Sequence, residues 1–108
     1  MSVMSGDVGG VEPTRTPGDV VNDVAERRFE VSDGREIASL QYALRSGRLY
    51  LIHTEVPKAL EGRGYGSALA RTALEYARRE KLQVVPSCPF VRAYLRRHPE
   101  YASLVVQT

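Results

Sequence analysis

From Arg27 onward the chain alternates between apolar and polar positions in a way that residues 1–24 do not. "RRFEVSD" places Phe29 and Val31 on one side of a short strand. Asp33-Gly34 is a tight hairpin signal. "EIASLQYALR" then alternates through Ala38, Leu40, Tyr42 and Leu44, which predicts a second strand. "SGR" at 46–48 is another turn. "LYLIHTEV" follows as a third strand, apolar on both faces and therefore central. Three consecutive strands with tight turns predict an antiparallel meander. Pro57 ends it, because proline cannot donate to a ladder.

From Gly64 or Tyr65 the period becomes helical. Leu69, Ala73 and Tyr76 or Ala77 share a face, flanked by Ala70 and Leu74. Arg71, Glu75, Arg78 and Arg79 fall on the water side, with Glu75 and Arg79 spaced for an i,i+4 pair. "LQVVP" predicts a fourth strand, parallel to the third across the helical crossover. "FVRAYLRRH" predicts a short second helix stopped by Pro99, and "YASLVVQ" a last short strand or extended segment. The expected order is β-β-β-α-β-α-β, an α/β (α+β) domain with one central mixed sheet. Residues 1–24, rich in Gly, Pro, Ser, Thr and Asp, read as a flexible acidic tail before a domain at 25–108.

Charge sharpens this division. Residues 1–26 carry five acidic residues against one arginine, a net −4, whereas residues 27–108 carry fourteen Lys+Arg against eight Asp+Glu, a net +6. A basic core suits anionic ligands such as phosphate esters, acidic surfaces or nucleic acid, and equally suits a solvated surface. The single cysteine, Cys88, excludes an intrachain disulfide and fits a reducing cytoplasm. No apolar run reaches the length of a membrane span, and the N-terminus does not read as a secretory signal.

The candidate chemistry lies at the strand–loop–helix junction, "HTEVPKALEGRGYGSALARTALEYARR". Gly62, Gly64 and Gly66 fall where a helix begins. The first amides of a helix lack intrahelical partners and carry the positive end of its dipole, and glycine lets a phosphate approach the backbone closely. Arg63 adds a cation and Ser67 a hydroxyl. A Walker A loop fails for want of its lysine, and a dinucleotide fingerprint fails on the last glycine's spacing. A coenzyme A pyrophosphate loop and a ligand-free glycine connector both remain on glycine pattern alone.

The wider pattern resembles the acetyl-CoA-binding motif of the GNAT superfamily of N-acetyltransferases: strand, proline-containing loop, x-x-Gly64-x-Gly66, amphipathic helix. Together with the V-x-P-x-C-x-F-V segment around Cys88 and the terminal H-P-E-Y, the chain is similar over about residues 27–105 to small single-domain members of that superfamily. The resemblance implies a minimal GNAT fold and transfer of an acetyl group from acetyl-CoA to an unidentified amine, on a small molecule or a protein. It implies that Gly62, Arg63, Gly64, Tyr65, Gly66 and Ser67 hold the pyrophosphate. Thr54 and Val56 would line the pantetheine arm, and Cys88 would lie near the thioester. The helix "FVRAYLRRH" would close the site. Two departures stand out. Glu61 occupies a position where the superfamily prefers Gln or Arg, and a carboxylate there must point away or pair with a cation such as Arg63. The two helices that build much of the acceptor site in larger members are missing.

Three residues are candidate catalysts. His53, or Glu55 two residues on and on the same face, could take the acceptor's proton; a histidine satisfied within the sheet and a solvated carboxylate explain them as well. Cys88 precedes a helix, which promotes thiolate character, and could accept the acetyl group or contact the cofactor; a buried inert thiol is the alternative. His98 and Tyr101 could close the site, with Tyr101 as an acid for the leaving thiolate, or could only stop the last helix. Arg92, Arg96 and Arg97 could meet the adenosine 3′-phosphate or simply face water. No spacing among Cys88, His53 and His98 suits a metal. Rival functions are a non-catalytic CoA- or acyl-CoA-binding module and a protein-interaction adaptor. Nucleic acid is not an expected partner, since no aromatic–basic platform is present. A monomer or weak dimer is expected.

Overall fold

A computed structural model describes residues 19–106. The order is β1 (Val20–Asp23), β2 (Arg28–Asp33), β3 (Glu36–Arg45), β4 (Arg48–Glu55), a 3₁₀ turn (Lys58–Leu60), α1 (Tyr65–Arg79), β5 (Gln83–Pro86), α2 (Pro89–Arg97) and a second 3₁₀ segment (Pro99–Leu104). The strands form one five-stranded sheet in the order β1-β2-β3-β4-β5. β1 to β4 pair antiparallel, and β5 returns parallel to β4 through α1. The expected meander, helical crossover and mixed sheet are all present.

Two expectations are corrected. The tail reading ran to residue 24, but Val20–Asp23 is a strand paired with β2, and Asn22 accepts a hydrogen bond of 2.7 Å from the Tyr42 hydroxyl. Residues 1–18 lie outside the described residues. The expected last strand is instead the second 3₁₀ segment, followed by a single parallel bridge between Val84 and Val105. Pro99 fixes the start of that segment, and Tyr101 is its buried anchor.

The core lies between one sheet face and the helices. Phe29, Val31, Leu40, Leu49, Leu51 and Val84 supply the sheet side. Leu69, Ala70, Ala73, Leu74 and Ala77 of α1 and Val91 of α2 supply the other. The alanines let α1 lie close to the sheet, and each buried Leu, Val or Phe contributes about 1.5–3 kcal/mol. The expected Glu75–Arg79 pair does not form. Glu75 accepts from Arg78 at 3.4 Å and from the Tyr101 hydroxyl at 2.5 Å, while Arg79 lies 3.8 Å from Glu80. α1 ends with Lys81 at φ +59°, the Leu82 amide bonded to Ala77 and the Lys81 amide to Arg78, a Schellman closure.

One irregularity positions the site. Gln41 opposes His53 and Tyr42 opposes Leu51, so Ile52 is an extra residue, a β-bulge. The bulge reverses the alternation of β4. Leu49 and Leu51 face the core before it and Thr54, opposite the buried Leu40, after it. Ile52, His53 and Glu55 are exposed on the outer side.

Candidate active site

β4 runs out at Glu55, and Leu60, only 3% exposed, anchors the loop that follows. Gly62 and Gly64 hold φ +82° and +80°, the left-handed region where a side chain is strained. Gly64 is also the N-cap of α1 and offers no side chain to cap it. The first intrahelical bond runs from the Ala68 amide to the Gly64 carbonyl at 3.0 Å, so the amides before it have no acceptor within the helix.

These amides border a cleft of about 390 Å³. Thr54, Val56 and Leu60 form its β4 side; Glu61, Gly62, Gly64, Tyr65, Gly66 and Ser67 form its loop side; Phe90 of α2 closes it. Every residue expected to hold the cofactor lines this cleft except Arg63. The Arg63 guanidinium donates to Asp33 at 2.8 Å, and the Tyr65 hydroxyl donates to the same Asp33 oxygen at 2.7 Å. The bond to Asp33 pushes the Tyr65 phenol above its ordinary pKa. Of the two ways out for Glu61, turning away or pairing with a cation such as Arg63, the second is not taken: Arg63 pairs with Asp33, and Glu61 lines the cleft.

Cys88 sits where β4 and β5 part. Their register ends at Leu51 opposite Pro86, and the Cys88 amide makes a last bond to the Leu51 carbonyl at 2.9 Å. Cys88 is the N-cap of α2, with Pro89 at the first helical position. Its sulfur lies 3.2 Å from the Thr54 hydroxyl. Burial pushes the thiol pKa up, but the Thr54 hydroxyl and the backbone amides of Val91, Phe90 and Thr54 outweigh it, and the net shift is downward. The polar neighbours thus favour the thiolate more than burial opposes it. Arg92 donates to the carbonyls of Pro86 and Ser87 at 3.0 and 2.8 Å, so it fixes the turn before Cys88 instead of facing water freely.

His53 and Glu55 share the outer face, opposite the side that Thr54 occupies. A hollow of about 290 Å³ lies on that outer face, lined by Ala43, Arg45, Tyr50, Ile52 and Ser87, the residue before Cys88. The cleft takes Thr54 from the inner face of β4 and the hollow takes Tyr50 and Ile52 from its outer face; Cys88, His53 and Glu55 line neither, and Cys88 reaches the cleft only through its contact with Thr54.

His98 and Tyr101 are not part of this arrangement. His98 stacks on Tyr94 with ring centroids 4.0 Å apart and lies 3.5 Å from Glu100. Tyr101 bonds Glu75, nine residues along α1 from Gly66, or about 13 Å by the helical rise. That bond, with burial, raises its pKa to about 12, and its hydroxyl proton is committed to Glu75. Sequence reasoning missed Phe90, Leu60 and Asp33 as individual site residues. Phe90 was legible within the V-x-P-x-C-x-F-V segment; Asp33 read only as a turn former.

Among the described residues no group of His, Cys, Asp and Glu could hold a metal ion, and no helix is long and apolar enough to cross a membrane. The sequence model of the GCN5-related N-acetyl-transferase family matches residues 28–104. Protein NATD1 of Gallus gallus is 34% identical over 86 residues, covering 77% of this chain and 78% of that protein. Protein NATD1 of Homo sapiens is 34% identical over 83 residues, covering 74% of each chain. The fold is similar to the NMR solution structure of a GCN5-like candidate N-acetyltransferase from Staphylococcus aureus, with a TM-score of 0.68 and 23% identity over 87% of this chain and 93% of that one. By the span of the family match and the level of identity to these relatives, the chain belongs to the GCN5-related N-acetyltransferase family.

Proposed function

We propose that the protein is an acetyl-CoA-dependent N-acetyltransferase acting on an amine. One observation carries this reading: a single cleft joins the glycine loop and the uncapped start of α1 to the end of β4. The residues fit a pyrophosphate-bearing cofactor, because the left-handed glycines leave the backbone bare and the amides before Ala68 lack helical acceptors. When bound, acetyl-CoA supplies an activated acetyl thioester. The amides of residues 62–67 hold the phosphates, Thr54 and Val56 guide the arm towards the β4–β5 split, and Phe90 excludes water from above.

Cys88 meets the acetyl end at the split. Its sulfur would either attack the thioester carbon as the thiolate, with the C–S bond to CoA breaking and CoA leaving as the thiol, after which the amine takes the acetyl group and frees Cys88, or it would stay a thiol and orient the thioester for direct attack by the amine. The Thr54 hydroxyl and the α2 amides favour the thiolate needed in the first case. The acceptor amine enters from the outer face, where His53 or Glu55 removes its proton. We place the protein in the reducing cytoplasm on the strength of its single free thiol.

The test is acceptor-dependent release of CoA thiol from acetyl-CoA across a panel of primary amines, run with wild type, Cys88→Ala, His53→Ala and Glu55→Gln. Release above hydrolysis with at least one amine, abolished in Cys88→Ala or lowered in an outer-face variant, is the expected result. Saturable CoA binding with no amine-dependent release across the panel would replace this reading with the non-catalytic CoA-binding module.

A further inference from the structure

We propose that Asp33, at the tip of the β2–β3 hairpin, is a positioning residue that sets the shape of the glycine loop by holding Arg63 and Tyr65 on either side of Gly64. The inference rests on the reading of that loop as the cofactor cradle.

The loop needs an outside constraint. Gly62 and Gly64 stand in left-handed conformations, and nothing lies within 4 Å of where a Cβ would be built on either. No neighbouring group crowds the side-chain side of either residue, and glycine loses more conformational freedom on ordering than any other residue. The residues that alternate with them are the tethered ones. One oxygen of Asp33 accepts from the Arg63 guanidinium at 2.8 Å and from the Tyr65 hydroxyl at 2.7 Å, across sequence separations of 30 and 32 residues. The anchor is firm, because Asp33 pairs with Glu36 across a tight turn in which Gly34 takes φ +65°. Arg63 is 55% exposed at its side chain, so the ion pair adds little to global stability. Its effect is local: it limits the torsions of the segment whose amides border the cleft.

An opposite role for the same contact would be competition, with Asp33 drawing Arg63 away from an incoming phosphate. The two roles differ in sign. Positioning makes loss of Asp33 weaken binding of an anionic ligand; competition makes it strengthen binding.

The experiment is calorimetric titration of CoA into wild type, Asp33→Asn and Asp33→Ala, with amide hydrogen exchange of residues 62–67 measured on each free protein. Asparagine keeps an acceptor oxygen for both donors, and alanine keeps none. Releasing one residue's worth of backbone freedom corresponds to about a tenfold loss of affinity. The expected result is CoA binding about tenfold weaker in Asp33→Ala, mostly retained in Asp33→Asn, and faster loop exchange in Asp33→Ala without ligand. Tighter binding in Asp33→Ala, or unchanged affinity with unchanged exchange, overturns the proposal. Should Asp33→Ala fail to fold, Tyr65→Phe and Arg63→Ala cut the two tethers separately and each must speed loop exchange. If wild type binds no CoA, the cofactor reading fails while the exchange data still decide whether Asp33 shapes the loop.

Discussion

Gly66→Ala separates the needs of the fold from those of the cleft. Gly66 lies in the first turn of α1 with helical backbone, so alanine gains about 1 kcal/mol of helix propensity. The new methyl would stand 2.8 Å from the tip of the Phe90 ring and 3.2 and 3.3 Å from the adjacent ring carbons. Carbon atoms prefer about 3.5–4.0 Å, so the ring must withdraw by about 1 Å. Phe90 is 37% exposed and can yield, which keeps the overpacking cost near the lower end of about 1–3 kcal/mol. The two effects nearly cancel in stability. They do not cancel in the cleft, whose roof is Phe90. Loss of its packing against a bound arm costs about 1 kcal/mol or more, roughly a fivefold to tenfold rise in Kd for CoA. The assay is a double-mutant cycle by calorimetry and thermal unfolding on wild type, Gly66→Ala, Phe90→Ala and the double variant. With no ring to displace, Gly66→Ala should have little effect on affinity in the Phe90→Ala background. A Gly66→Ala variant with wild-type affinity, or an equal penalty in both backgrounds, would refute the steric argument.

Further expectations follow from single contacts. Thr54→Val removes the hydroxyl 3.2 Å from the Cys88 sulfur; because that hydroxyl favours the thiolate, the pH midpoint of Cys88 alkylation by a small reagent should rise in Thr54→Val, and Thr54→Ser should restore it. An unchanged midpoint would show that the α2 amides alone set it. Tyr101→Phe loses the bond to a half-exposed Glu75 and should cost about 1 kcal/mol in denaturant melts with CoA affinity unchanged. The phenol pKa is raised on folding, so the wild-type advantage is present below pH about 10 and is lost as the pH climbs through about 12. Lys81→Gly relieves a left-handed lysine at the close of α1 and should stabilise by about 0.5–1 kcal/mol, read as a Tm increase of about 2–6 °C.

The parts of the fold visible in the sequence are those whose own pattern dictates them. Phe29 with Val31, the Asp33-Gly34 turn and the Leu69–Ala77 face each state an element without help from distant residues. β1 was invisible because Val20–Asp23 is too short to alternate; it is a strand by virtue of the β2 edge and the Tyr42–Asn22 bond. The bulge at Ile52 was equally hidden, since an apolar run on both faces carries no mark of where its alternation reverses. That reversal decides which β4 side chains enter the cleft. Thr54 enters it, and His53 and Glu55 turn to the outer side. The glycine loop was legible because only glycine suits backbone at φ near +80°. Its tether was not, because Asp33 at a hairpin tip has reason enough to be aspartate without any partner some thirty residues away.

The central claim is that the cleft at the start of α1 binds coenzyme A. Calorimetric titration of acetyl-CoA and CoA into wild type and Gly64→Trp tests it most directly. Gly64 has nothing within 4 Å of a built Cβ, so the first side-chain atom meets no clash, at a backbone cost of about 1–2 kcal/mol for the left-handed residue. Saturable binding of both ligands by wild type, lost in a folded Gly64→Trp protein, is the expected result. Absence of binding by wild type, or binding undiminished in the variant, would contradict it.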